Sequence, residues 1–352
     1  MTTVAAVHGV LPPHRYPQAE LTDLFVRLGL VEERQRALAR RFHASSQVAN
    51  RHLALPIECY PELGDFTARN DAFLTVAVDL GAQAVAGAVR EAGLSVQDID
   101  LIMSTTVTGI AVPSLDARIA ARLGLRPDVK RVPLMGLGCV AGAAGIARSH
   151  DYLRGAPDEV AVLVSVELCS LTVQRDDPTV PNLVASGLFG DGAAAVVLVG
   201  GDRAAGYAGP RVIDTRSHLY PGTERAMGWD VRSSGLKIVL GAEVPELVHS
   251  YLGADVRGLL EAHGLTVSDV TSWVSHPGGP KVIEAIQTVL ELPEDALALT
   301  WRSLREVGNL SSASVLHVLR DTLTDRPAPP GRWGMLMAMG PGFCSELVLF
   351  QW

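Results

Sequence analysis

The chain carries a diverged internal duplication, and this restricts it to folds built from two similar halves. The segment Glu91-Ala92-Gly93-Leu94-Ser95-Val96-Gln97-Asp98-Ile99 matches Glu261-Ala262-His263-Gly264-Leu265-Thr266-Val267-Ser268-Asp269-Val270. Both copies follow a helical pattern and both run into an apolar strand, over 101–104 and 273–275. Gly93 and Gly264 stand 171 residues apart, and at an offset of 170 Gly138-Cys139 falls on Gly308-Asn309. Each of those pairs precedes a helix of small residues. Gly190-Asp191-Gly192-Ala193 and Gly340-Pro341-Gly342-Phe343, at an offset of 150, each open a final strand. Strands alternating with helices predict an α/β fold whose sheets are covered by helices. The expected halves are 1–205 and 206–352, with an irregular polar insertion over 210–235 between them. Residues 131–135 and 193–199 read as buried strands.

Composition narrows the function classes. With 352 residues, 48% of them hydrophobic, the chain can bury a substantial core. No apolar run reaches the ~18 residues of a spanning helix, and Met1-Thr2-Thr3-Val4-Ala5 does not open a signal peptide. A cytoplasmic enzyme without a membrane span is expected. Cys59, Cys139, Cys169 and Cys344 are widely spaced with no CxxC, which argues against disulfides and zinc. A net charge of −8 without a basic cluster argues against nucleic acid as a partner.

Three residues at glycine-rich junctions carry the chemistry. Cys139 follows a strand pattern and opens a helix, where the dipole and unpaired N–H groups favour a thiolate. A free cysteine is more often an inert apolar side chain; the strand–Gly–Cys–helix context points to a reactive one. His276, in Ser275-His276-Pro277-Gly278-Gly279-Pro280, ends an apolar strand and is placed to face a cavity. Asn309 reads as an ordinary helix cap in isolation, but the duplication sets it opposite Cys139. A thiol, an imidazole and a carboxamide can together hold an acyl group on sulfur and stabilise an enolate beside it. Asp191 reads as a residue that fixes its own turn.

These motifs resemble type III polyketide synthases, the chalcone-synthase-like branch of the thiolase-fold condensing enzymes. The resemblance spans nearly the whole chain. It is carried by Gly138-Cys139, Glu167-Leu168-Cys169-Ser170-Leu171-Thr172, Gly187-Leu188-Phe189-Gly190-Asp191-Gly192, His276-Pro277-Gly278-Gly279-Pro280-Lys281, Gly308-Asn309-Leu310-Ser311-Ser312 and Gly340-Pro341-Gly342. It implies a homodimeric, layered αβαβα fold of two pseudo-repeated halves. It also implies a Cys139-His276-Asn309 triad, a gatekeeper at Phe189, and CoA thioesters as substrates rather than a bound cofactor or metal. An acyl-CoA starter loads on Cys139 and is extended by decarboxylative condensation with malonyl-CoA; nothing points to an acyl carrier protein.

Within that family, Val107, Thr108, Val112, Cys169, Thr172, Trp229, Ile238, Ser311 and Pro341 match cavity positions, with Val112 reaching the partner's cavity. Arg41 and Arg51 match basic residues near the CoA entrance. Cys169, Val107, Ile238 and the run Thr172-Val173-Gln174-Arg175-Asp176-Asp177 look most like bacterial alkylpyrone and alkylresorcinol synthases, which implies an alkyl starter. A type III synthase using a malonyl or aryl starter is the alternative inside the family. Outside it stand a ketoacyl synthase III-like initiation enzyme, a thiolase and a non-catalytic partner subunit. Pro277-Gly278-Gly279-Pro280 departs from the Gln-Ala-Asn type segment of the first, and Asn309 stands where a thiolase would have a second histidine.

Overall fold

The computed structural model describes residues 1–27, 33–174, 177 and 179–352. Its strands, in chain order, are β1 (Thr3–Val10), β2 (His14–Pro17), β3 (Asn50–Leu53), β4 (Leu101–Thr106), β5 (Lys130–Met135), β6 (Val160–Leu168), β7 (Asp191–Val199), β8 (Arg211–Leu219), β9 (Met227–Arg232), β10 (Gly235–Leu240), β11 (Val270–Ser275), β12 (Trp333–Gly340) and β13 (Cys344–Gln351). Helices α1 (Gln18–Arg27), α2 (Arg36–Ser45), α3 (Phe66–Glu91), α4 (Leu115–Leu123), α5 (Ala141–Gly155) and α6 (Val180–Leu188) belong to the first half. The second half contributes α7 (Val244–Leu247), α8 (Gly253–Glu261), α9 (Pro280–Val289), α10 (Ala298–Val307) and α11 (Ser314–Asp325).

Nine strands form one sheet in the order β11-β12-β13-β8-β1-β7-β6-β4-β5. The duplication is visible in its pairing. β4 runs parallel to β6, and β6 antiparallel to β7; β11 runs parallel to β12, and β12 antiparallel to β13. Even the entry turns repeat, since Ser95 with Asp98 and Thr266 with Asp269 form matching capping boxes before β4 and β11.

Side-chain alternation in the central strands separates the core into layers. Along β6 and β7, Val162, Val164, Ala195 and Val197 face one cluster under α3, while Leu163, Ala194 and Val196 face a second. That second cluster holds Val140, Ala143 and Ile146 from the start of α5 together with Val315, Leu316 and Leu319 of α11, and Leu336 and Val348 from the other half's strands. A third cluster joins Val256 and Leu259 of α8 and Ile283 and Ile286 of α9 to Met335, Leu347 and Leu349. The result is a thiolase-like αβαβα stack with α5 and α11 in the middle layer. Gly142 lets these two helices meet, because a Cβ there would lie 2.4 Å from the Ser312 carbonyl oxygen. Helix α3 is long and apolar enough to cross a bilayer by length and composition, yet it packs against β1, β6 and β7.

Two expectations are corrected. Residues 130–135 form a strand, but at the sheet's edge and largely exposed, with Val132 at 37% and Met135 at 58%. Residues 210–235 are not irregular: they supply β8, which pairs with β13 in the main sheet, and β9, which pairs with β10. Arg175 and Asp176 of the run over 172–177 lie outside the described residues.

Candidate active site

Each of the three residues singled out at a glycine-rich junction is held by the end of a regular element. Cys139 sits in a 3-10 turn, Gly138–Val140, that feeds directly into α5. His276 follows β11, and its N–H continues the ladder by donating to the Met337 carbonyl at 3.0 Å. Asn309 follows α10 and pairs with the chain around Phe189: its N–H donates to Leu188 O and its carbonyl accepts from Gly190 N–H, both at 2.9 Å. Gly308 permits this close pairing, since a Cβ there would lie 2.7 Å from Leu188 O.

All three open into one cavity of about 550 Å³, together with Phe189. Its walls are apolar and include Leu188, Met227, Leu240, Met337, Met339 and Phe343. Arg41 and Lys281 line it from exposed positions, which places cations at its open end. Such a cavity suits a substrate with a charged outer part and an apolar reacting part.

Burial dominates the electrostatics. It pushes the Cys139 thiol up to about 12, with Glu167 adding to the shift while hydrogen bonds from Ser311 and Asn309 oppose it. Burial likewise pushes His276 down to about 3. Both shifts favour the uncharged forms, where the helix start alone predicts a thiolate. The thiol's rise from 9.0 is worth roughly 4 kcal/mol, and a helix terminus supplies about 2 kcal/mol at most. The helix start is present, but desolvation outweighs it. Neither ring nitrogen of His276 has a hydrogen-bond partner among the described residues, so the imidazole is available to exchange a proton.

Asn309 is more tightly held. Its Oδ1 accepts from Ser311 N–H at 2.8 Å, and Nδ2 donates to Gly278 O at 3.4 Å. One amide hydrogen remains for a substrate oxygen.

The other sequence-predicted residues divide. Ser311 Oγ stands 3.8 Å from Cys139 Sγ, and Pro341 packs on Gly138. Cys169, Thr172, Trp229 and Ile238 meet behind Phe189 around a void of about 10 Å³. Thr108 and Thr172 border a second void of about 10 Å³. Val107 N–H and the Thr108 hydroxyl both donate to the buried carboxylate of Glu167, at 3.1 and 2.9 Å. Val112 is 91% exposed. Arg51 is not at the entrance: it is 2% exposed and bonded to Gln18, Ser186 and Phe189. Asp191 does not fix its own turn; it accepts from Ala54 N–H at 2.6 Å and from Ser170 N–H at 2.8 Å, tying two other segments together.

Sequence reasoning missed Lys281, although it lies inside the quoted His276 motif, and the apolar wall residues, which read as ordinary core. It also missed Glu167, whose buried carboxylate accepts from the Ser312 hydroxyl.

Comparison with known proteins gives a consistent picture. The model for "Chalcone and stilbene synthases, N-terminal domain" matches residues 1–203, and that for the C-terminal domain matches residues 212–351. A 1,3,6,8-tetrahydroxynaphthalene synthase of Streptomyces peucetius subsp. caesius is 57% identical, over 100% of this chain and 93% of its own. A phloroglucinol synthase of Pseudomonas fluorescens is 31% identical, over 100% of this chain and 99% of its own. The crystal structure of the 1,3,6,8-tetrahydroxynaphthalene synthase of Streptomyces coelicolor A3(2) superposes with a TM-score of 0.93 at 32% identity, covering 99% of each chain. None of these three names is that of an alkylpyrone or alkylresorcinol synthase.

Proposed function

Because this chain belongs to the chalcone and stilbene synthase family and is a type III polyketide synthase, we propose that it starts from malonyl-CoA and makes a polyhydroxylated arene, 1,3,6,8-tetrahydroxynaphthalene. The observation that carries this reading is the 57% identity, over the whole chain, to a synthase of that compound. Space in the site agrees. An alkyl starter was expected beside Cys169 and Thr108, but the voids there are about 10 Å³ each, the room that a single water needs.

The chemistry follows from the three side chains. Cys139 gives its proton to His276 as sulfur attacks the starter thioester, and the departing CoA thiolate takes that proton back. A second malonyl-CoA then loses CO2, and the electrons of the broken bond move to the thioester oxygen. His276 and Asn309 donate to that oxygen as it becomes an enolate. The enolate carbon attacks the acyl group on Cys139, and sulfur leaves to be reloaded with the longer chain. Arg41 and Lys281 hold the phosphates of CoA at the open end.

The functional unit is a homodimer. Exposed β5 at one edge of the sheet and the outward-facing Val112 support it. In that assembly Val112 lines the partner's cavity.

A starter panel with malonyl-CoA as extender, read by mass spectrometry, tests the product. Malonyl-CoA alone is expected to give tetrahydroxynaphthalene. Pyrones or resorcinols formed from fatty acyl-CoA in preference would overturn the malonyl reading and restore the alkyl one.

A further inference from the structure

Arg51 lies in β3 and is one of the largest fully buried side chains of the protein. Burying a guanidinium is costly unless its donors are satisfied. Here Nη1 is spent on one short stretch of backbone and Nε on the Gln18 side chain, while Nη2 has no partner among the described residues. Nη1 donates to the carbonyls of Ser186 at 2.6 Å and Phe189 at 3.0 Å, while Nε donates to Gln18 Oε1 at 2.9 Å. Gln18 in turn donates from Nε2 to the Gly187 carbonyl at 2.6 Å. The imidazole of His43 closes the cluster, 3.0 Å from Ser186 Oγ and 2.8 Å from Thr22 Oγ1. The carbonyls of Ser186, Gly187 and Phe189 are thus each held by Arg51 or by Gln18.

The stretch so held is the one that pairs with Asn309. Leu188 O and Gly190 N–H bond the Asn309 backbone, and the aliphatic stem of Arg51 lies 3.4 Å from where a Gly308 Cβ would be. Phe189 also divides the 550 Å³ cavity from the 10 Å³ void behind it, lining both. Arg51 borders that void as well. Asp191, two residues past Phe189, is near enough to counter the burial of the guanidinium.

We propose that Arg51 is a positioning residue: buried beneath the Phe189–Asn309 bridge, it fixes the enolate-stabilising carboxamide and the Phe189 partition in a single geometry. It touches no substrate itself. Its effect is expected on the half-reaction that needs Asn309 and not on the one that needs only Cys139 and His276. This assignment rests on the reading that malonyl-CoA is the extender.

The test measures two half-reactions in Arg51→Met, which keeps the side chain's length and removes its donors. CO2 release from malonyl-CoA is expected to fall roughly tenfold or more, below the roughly 10²-fold that a 1 Å misplacement can cost. Acylation of Cys139 by acetyl-CoA, read by intact mass, should fall by less than about threefold. A residue that merely holds the fold lowers both together with the folded fraction; an unchanged ratio would therefore overturn the proposal. If Arg51→Met does not fold, Arg51→Lys decides, since it keeps the buried charge but gathers the donors on a single nitrogen. Its ratio should fall in the same direction by a smaller factor, and no fall overturns the proposal. Wild-type enzyme that releases no CO2 from malonyl-CoA would overturn the extender reading instead. The Phe189 partition then supplies the readout: the dependence of Cys139 acylation on starter size must flatten in the Arg51 variant, and a dependence as steep as in the wild type overturns the proposal.

Discussion

The two halves use the same local construction for opposite ends. In each, a glycine and the candidate site residue lead through a 3-10 turn into a helix of the middle layer, with Cys139 inside its turn and Asn309 two residues before its own. In the first half the side chain at that position, Cys139, is only loosely partnered, by the Ser311 hydroxyl at 3.8 Å and by the Asn309 carboxamide. In the second half the equivalent side chain, Asn309, is fastened at Oδ1 and its backbone is tied on both sides to the Phe189 strand segment. A nucleophile has to move toward a carbonyl and exchange a proton, so free lone pairs serve it. A donor that stabilises developing charge has to be in place beforehand, so restraint serves it. The duplicated scaffold supplies both, and the difference lies in which hydrogen bonds surround each copy.

The sharpest way to break this comparison is to remove the mobile partner. Cys139→Ala is expected to abolish product formation altogether while CO2 release from malonyl-CoA continues, because His276 and Asn309 remain. Loss of both activities, measured on folded protein, would show that the two halves do not divide the work in this way.

The halves also end differently. The first half's edge strand, β5, is exposed, whereas β11 at the opposite edge is buried at all but one of its residues. Val132→Asp with Met135→Asp should therefore dissociate the dimer. Each apolar side chain buried is worth about 1.5–3 kcal/mol, so the pair should weaken the dimer roughly 10²–10⁴-fold. Sedimentation or light scattering across a concentration series measures this. An unchanged dimer would move the interface away from β5.

What the sequence made legible is what repeats or carries rare chemistry. The duplication predicted the two-half architecture, and Cys139, His276 and Asn309 were readable because glycine-rich junctions isolate them. Three kinds of feature were not. β5 reads as core, since an apolar strand pattern does not reveal whether the strand's own chain covers it. Arg51 reads as a surface cation, because nothing local reveals that its partners are carbonyls about 135 residues away. The walls of the cavity, such as Met337 and Phe343, are apolar residues at core positions and differ from core only by the space beside them. The upward push of burial on the Cys139 thiol was hidden for the same reason: the helix start is written in the sequence, while the depth of burial belongs to the assembled fold.

The division between a free nucleophile and a fixed donor is tested most directly by the ratio of CO2 release to Cys139 acylation in Asn309→Ala. Loss of one preorganised donor costs roughly 10²–10³ in rate, so CO2 release should fall by that factor while acylation stays within about tenfold of wild type. Equal losses in both half-reactions would contradict the assignment of Asn309 to the enolate.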